Sequence, residues 1–509
     1  MEKNRRGTVW QGAFWLSIGS FVSKLIGAVY RIFLPRVLGD YGVGLFQMAY
    51  PLYAVLLAIS INGIPTALSK QTAEKISRGD VAGAEALGAW AQVVLGTVGV
   101  VLAVAMEMSA PWIARTLFSE PAATLSIRAL APALGFVAIE ASFRGYFQGQ
   151  QEMAPTAMSQ ILEQIVRVAV MFPMALLLLP RGVVAAAAGA TLGAPVGAGL
   201  GVGYLFWRRM HHQPRFRLTR PIPVRDLIRL FLVALPMSLS GLLFPLMLLA
   251  DSMFVPLRLT ITGLTMEQAT AQFGRLSGEA MPLVNLTMVV GAALAVSLVP
   301  AVARSIAGGN RAEAGRRVAV ATHLVWLVGL PMSGGLIILA QPLTRLLYGE
   351  SGASGALEIL AIGATVLAIQ QILGSSLQAA GHGWIPVKNL VIGAMVKYGL
   401  TWWLTAMPGL GIRGAAIGTV IAGIITAYAN WRDWKKIVPN PGSLLAGALW
   451  PLAGTVLMVI GIQVWLQIGG AMPELLMTAT AIFGGMVVYG ILMAGVGELG
   501  SLTTLWNDR

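Results

Sequence analysis

At 509 residues, with 56% hydrophobic and only 11% charged residues, the chain has too little polar surface for a soluble protein. Soluble domains carry about 25% charged residues, and the mean hydropathy here is +0.75. The net charge of +14 lies in loops between apolar runs, where membrane proteins hold Lys and Arg on the cytoplasmic side; it points to anionic lipid and not to nucleic acid. There is no cysteine, which excludes disulfides and thiolate metal sites.

Apolar runs of about 20 residues recur along the whole chain, too long for barrel strands and without their alternation. They predict an all-α integral membrane protein of about 14 transmembrane helices. In chain order the spans fall near 10–38, 43–69, 84–108, 123–148, 154–180 and 182–207. They continue near 227–254, 279–304, 316–340, 357–380, 384–407, 411–434, 444–468 and 473–497. The opening MEKNRR leads into a run that is too long for a cleavable signal and has no small-residue cleavage site.

Lys and Arg concentrate in alternate loops, most densely over WRRMHHQPRFRLTRPIPVRDLIR (207–229). That asymmetry predicts the cytoplasmic membrane as the location and places both termini in the cytoplasm. The dense stretch has several prolines and no continuous apolar face, so it reads as a linker.

An internal repeat agrees with that division. PLYAVLLAISINGIPTALSKQTAEKISRGDVAGAE from Pro51 matches PLVNLTMVVGAALAVSLVPAVARSIAGGNRAEAG from Pro282. Gly79-Asp80 falls on Gly309-Asn310, Pro155 on Pro386, and AAAAGAT (185–191) on GAAIGT (414–419). The offset stays near ~230 throughout, which predicts two six-helix lobes of parallel topology. The expected domains are an N-lobe at 1–207, a basic linker at 208–226, a C-lobe at 227–436 and two further spans within 437–509.

The most informative stretch is FRGYFQGQQEMAPTAMSQILEQIVRV (143–168), two helices around a polar hairpin with Gly149 and Pro155 as breakers. Glu140 and Arg144 are four apart, as are Glu163 and Arg167, so each pair shares a helix face. Gln160, Glu163, Gln164 and Arg167 form a polar stripe, which belongs against a cavity or a packed interior and not against lipid. Lys24 and Arg31 share a face of the first span, nearly two turns apart. A cation at membrane depth costs at least about 2.5 kcal/mol, so two on one face imply a wet cavity or an anionic partner. Their spacing suits a diphosphate; the plainer account is snorkelling from the span ends, easier for Arg31 than for Lys24.

The candidate substrate-binding set is Lys24, Arg31, Arg144, Glu163, Arg167, Lys397, Asn62 and Asn285. The competing account makes Glu140–Arg144 and Glu163–Arg167 self-neutralising ion pairs and makes the asparagines helix-to-helix contacts. Asp251 and Glu279 read as solvated at the interface. No catalytic residue, metal site or cofactor is expected. The sequence has no DxD or DDxxD motif, no P-loop lysine motif and four histidines, of which only His211 and His212 adjoin, in the basic linker.

RGYFQGQQEMAPTAMSQILEQIVRV, with VSKLIGAVYRIFLPRVLGDYGVGLFQMAYP (22–51) and INGIPTALSKQTAEKISRGD (61–80), resembles the stage V sporulation protein B family. That family belongs to the multidrug/oligosaccharidyl-lipid/polysaccharide flippase superfamily. The likeness is clearest over roughly the first 210 residues. It implies two six-helix bundles around a central cavity, with two C-terminal helices that help hold a lipid tail. The implied substrate is an isoprenoid-diphosphate-linked saccharide, a cell-wall precursor or polysaccharide unit. The implied partners are that substrate, membrane lipids and a coupling ion, with the chain acting as a monomer. Basic residues at the first-span positions match the flippase branch, with Lys24 where Arg would give bidentate contacts. Two alternatives stand beside a flippase: a cation-coupled multidrug exporter, which needs unpaired acids in its lobes, and a membrane glycosyltransferase or ligase, which needs acidic metal motifs.

Overall fold

The computed structural model describes residues 2–61, 63–212, 223–439, 441, 443–445, 447–468 and 472–498. The described residues form helices and turns without a strand. The first helices are α1 (Glu2–Ser60), α2 (Ile64–Ser77), α3 (Val81–Thr116), α4 (Ala123–Leu130) and α5 (Pro132–Gly149). They are followed by α6 (Ala154–Leu178), α7 (Val183–Thr191), α8 (Gly193–His212), α9 (Val224–Ser240) and α10 (Leu243–Thr260). Next come α11 (Met266–Gly274), α12 (Met281–Ala307), α13 (Arg311–Ile338), α14 (Ala340–Tyr348) and α15 (Ser354–Ala379). The last four are α16 (Trp384–Leu404), α17 (Ile412–Ile437), α18 (Leu449–Ile468) and α19 (Glu474–Gly495).

Among the described residues, twelve helical stretches are long and apolar enough to cross a membrane, against about fourteen expected. The half of α1 before Tyr30, the 17-residue α9 and α16, which carries Lys388 and Lys397, fall outside that set. Two expected spans differ in local form. Residues 10–38 and 43–60 run on as one helix whose axis breaks at Gly39 (φ 64°, ψ 173°). The expected second span stops at Ser60, and α2 restarts at Ile64 with Pro65 in its first turn, where the missing proline N–H costs nothing.

Contacts divide the chain into two compact units, Met1–Leu257 with Thr265–Gly274, and Arg258–Leu264 with Arg275–Arg509. The boundary falls inside α10, beyond the basic stretch 208–226, of which 213–222 lie outside the described residues.

Each unit has the same internal order of neighbours. In unit 1, α2 packs on α3 and α5, α5 on α3 and α8, and α6 on α8. In unit 2, α12 packs on α13 and α15, α15 on α13 and α17, and α16 on α17. The loops repeat as well. The Asp80 carboxylate accepts from the Gly83 N–H at 2.9 Å to cap α3, and the Asn310 side chain accepts from the Glu313 N–H at 3.0 Å to cap α13. The glycines ahead of them, Gly79 and Gly309, have φ of 78° and 77°, a left-handed turn that side chains resist. In unit 2, α18 and α19 add a small cluster of Leu339, Met458, Ile462 and Ala481.

Candidate functional site

Unit 1 carries a continuous, largely buried chain of charged side chains. It starts on α5, where Glu140 is fully buried. Arg144, one turn on, gives Nη2 to Glu140 Oε1 at 2.5 Å and to Glu163 Oε2 on α6 at 3.0 Å. Its Nε donates to Ser159 Oγ at 3.1 Å, and that hydroxyl donates to the Thr156 carbonyl at 2.9 Å. Arg167 gives Nη2 to Glu163 Oε1 at 2.5 Å and Nη1 to the Tyr50 hydroxyl on α1 at 2.6 Å. The order is Glu140, Arg144, Glu163, Arg167, Tyr50, alternating in sign and summing to zero charge. Both expected i,i+4 pairs form, and Arg144–Glu163 fuses them into one network.

Small residues on α8 let it close over this network. A Cβ at Gly193 would lie 2.5 Å from the Arg167 carbonyl oxygen, and one at Gly197 would lie 2.6 Å from that of Glu163. One at Gly201 would lie 2.4 Å from Glu140 Oε1. The resulting burial makes each ion pair dependent on its partner, because an uncompensated buried charge costs about 3–5 kcal/mol. The Arg167 Nε is itself buried and has no hydrogen-bond partner among the described residues.

Arg31 stands beside this network and is exposed. Its Cζ lies 6.0 Å from the centre of the buried Tyr30 ring. Tyr30 feels both Arg31 and Arg167 and packs in one apolar cluster with Met171 and Ala175 of α6. The Lys24 side chain and Asn62 lie outside what is described.

The remaining expected residues belong to unit 2. Asn285 on α12 is exposed, whereas Lys397 on α16 is buried with its Nζ 5.5 Å from the Tyr398 ring centre. Lys397 occupies in unit 2 the place of Arg167 in unit 1. The Arg167 carbonyl faces Gly193 and the Lys397 carbonyl faces Gly418; one further repeat pair matches Met174–Gly189 with Leu404–Gly414, so Gly189 corresponds to Gly414 by packing and not to Gly418 as the sequence match had it. Glu279, expected at a solvated interface, is instead buried in a six-residue π-helical turn. Among the described residues no three His, Cys, Asp or Glu gather where a metal would sit.

Sequence reading missed Tyr50 and Ser159. Tyr50 sits in an apolar run and reads as core, and its partner is 117 positions away. It also missed a unit 2 cluster in which Asn389 Nδ2 donates to Asn430 Oδ1 at 3.0 Å and to Asp433 Oδ2 at 3.1 Å. Lys436 completes it by donating to Asp433 Oδ1 at 2.7 Å. The available signal was Asp433 and Lys436 three apart at a helix end.

The chain as a whole is similar to known membrane proteins. Stage V sporulation protein B of Bacillus subtilis (strain 168) is 30% identical over 444 residues, 85% of this chain and 84% of the relative. The lipid II flippase MurJ of the same organism is 27% identical over 414 residues, 76% of this chain and 75% of the relative. Among solved structures, a lipid II flippase MurJ in an inward closed conformation superposes with a TM-score of 0.73 at 15% identity, over 95% of this chain and 98% of that one. That last likeness speaks for the fold alone. A second family profile, MatE, matches residues 277–403. The profile described as polysaccharide biosynthesis protein matches residues 9–306, more than half of the chain, and with the sporulation relative it shows that the chain belongs to the polysaccharide biosynthesis protein family.

Proposed function

We propose that the protein is a membrane flippase that carries an isoprenoid-diphosphate-linked saccharide across the cytoplasmic membrane by alternating access, with both termini in the cytoplasm. The observation that carries this reading is the exposed Arg31 beside the Arg144–Glu163–Arg167 chain of unit 1, in which Glu163 and Arg167 are buried and Arg144 half-buried. Cations in a membrane-spanning unit are costly without an anionic partner. A diphosphate supplies that partner through charge-assisted hydrogen bonds, and Arg offers the bidentate geometry. Lys24 belongs to the same first-span face by spacing, and Lys397 is the repeat counterpart of Arg167 in unit 2. The isoprenoid tail stays in the bilayer, so only the head group needs a polar path. The similarity to a lipid II flippase and to stage V sporulation protein B supports the substrate class. The role is transport and not catalysis.

A second reading, a cation-coupled exporter, has the MatE match over 277–403 in its favour. Against it, the two acids of the charged network of unit 1, Glu140 and Glu163, are each held by arginine, which leaves them poorly placed to receive a cationic drug.

Reconstituted vesicles with a fluorescent lipid-linked saccharide test the proposal. Lys24→Ala and Arg31→Ala are expected to abolish translocation while the protein stays in the membrane. Lys24→Arg keeps the charge and much of the rate, and Lys24→Gln fails. Wild-type rates in both alanine variants, singly and together, defeat the site.

A further inference from the structure

Glu163 has an unusual position in the network. Its two carboxylate oxygens go to two different guanidiniums, Oε2 to Arg144 at 3.0 Å and Oε1 to Arg167 at 2.5 Å. A carboxylate usually takes one arginine as a two-pronged pair. Here a single anion bridges two cations, which is also how a diphosphate engages two arginines.

From this geometry we infer that Glu163 is a resident counter-anion that holds the place of the substrate diphosphate and is displaced by it. The inference rests on the flippase reading and concerns how that site is loaded and emptied.

Charge accounting supports it. With Glu163 in place, Glu140, Arg144, Glu163 and Arg167 sum to zero, and the buried network is self-sufficient. With Glu163 swung away, Arg144 and Arg167 face Glu140 alone, and the pocket carries one uncompensated positive charge. The exposed Arg31 adds a second. Such a pocket is costly when empty and is matched by an anion of charge two or more. The neighbouring groups hold the arginines in place through the exchange. Arg144 keeps Glu140 and Ser159, and Arg167 keeps Tyr50, so both arginines stay positioned when Glu163 leaves. Glu140 cannot take over, because Gly201 on α8 closes directly against its Oε1.

The functional consequence is a built-in competitor. A binding site that is too good for its ligand does not release it, and transport needs binding weak enough to leave. Glu163 returns to the arginines as the substrate departs, so neither arginine is left bare during the return of the empty carrier.

The test measures binding and turnover on the same variants. Full-length protein in nanodiscs is titrated with a short-chain isoprenyl diphosphate, with inorganic diphosphate as competitor, and the variants are assayed for translocation in vesicles. Glu163→Gln removes the competing charge and keeps the shape. It is expected to bind the isoprenyl diphosphate about tenfold tighter, with turnover reduced at least as much. Glu163→Asp keeps the charge but loses one methylene of reach, so its gain is smaller. Unchanged or weaker binding in Glu163→Gln, in protein whose melting temperature shows it folded, overturns the inference. Arg167→Ala separates it from the flippase reading. If Arg167→Ala weakens isoprenyl diphosphate binding while Glu163→Gln does not tighten it, the reading stands and the resident-anion role falls. If Arg31→Ala and Arg167→Ala both bind as wild type, the two fall together.

Discussion

The Arg167 guanidinium on α6 donates to the Tyr50 hydroxyl on α1 at 2.6 Å, across 117 residues of chain. This bond ties the first long helix of unit 1 to the helix that carries the polar stripe. Hydrogen bonds to charged groups contribute about 1.5–3 kcal/mol. Tyr50→Phe removes the acceptor with little change of shape. It is expected to lower unfolding stability by about that amount and to slow translocation several-fold. A double-mutant cycle with Arg167→Ala checks the link. Strictly additive losses would show that the two side chains are not coupled.

Glu140 offers a sharper probe of the buried chain. Its removal leaves Arg144 with one acidic partner in an apolar surrounding. Glu140→Ala is expected to cost about 3–5 kcal/mol, and Glu140→Gln less, since a neutral amide still accepts from Arg144. Gly201→Ala reaches the same group from α8, because its Cβ would sit 2.4 Å from Glu140 Oε1. Thermal melting in detergent should rank Glu140→Ala below Glu140→Gln, with Gly201→Ala also below wild type. A Gly201→Ala protein as stable as wild type would mean that the carboxylate has room to move.

How much of this was readable in the sequence depends on the range of each interaction. The pairs Glu140–Arg144 and Glu163–Arg167 are set by helical spacing, and both form. Their fusion through Arg144–Glu163 depends on α5 and α6 meeting side by side at a particular rotation, which spacing along one helix does not encode. Tyr50 was invisible for the same reason. The match of Gly79-Asp80 with Gly309-Asn310 was legible as a repeat, and both residues cap the helix that follows. The run through Gly39 was not, since Arg36, Gly39 and Asp40 read as a loop between spans, whereas the helix continues and its axis turns on a single residue.

The repeat makes a paired prediction. Gly193 closes on the Arg167 carbonyl of unit 1, where an added Cβ would lie 2.5 Å from the oxygen, and Gly418 closes on the Lys397 carbonyl of unit 2, where it would lie 3.1 Å away. Overpacking such contacts costs about 1–3 kcal/mol. Gly193→Val and Gly418→Val are each expected to lower the melting temperature, and their effects to add because the sites lie in different units. Gly203 and Gly399 have nothing within 4 Å of an added Cβ. Alanine there should leave stability unchanged or raise it by up to about 1 kcal/mol through helix propensity. Equal losses at all four positions would show that close helix approach is not the cause.

The absence of cysteine makes the proposed orientation directly testable. Helix α13 has 28 residues, or about 42 Å at 1.5 Å per residue, enough to cross a hydrocarbon core of about 30 Å. Its first turns carry Arg311, Arg316 and Arg317, and the loop holding Ser351 follows α14 beyond its far end. Arg432, Lys435 and Lys436 mark the end of α17 in the same way, with Pro408 at the opposite end before Ile412. Clusters of Lys and Arg remain on the cytoplasmic side, so both clusters belong inside and both Ser351 and Pro408 outside. His211 at the end of α8 adjoins the basic stretch and belongs inside. Single Ser351→Cys and Pro408→Cys proteins in intact cells should react with a membrane-impermeant maleimide. His211→Cys should react only after the membrane is opened. Labelling of His211→Cys in intact cells, with Ser351→Cys and Pro408→Cys protected, would invert the topology and place the first-span cations on the opposite route.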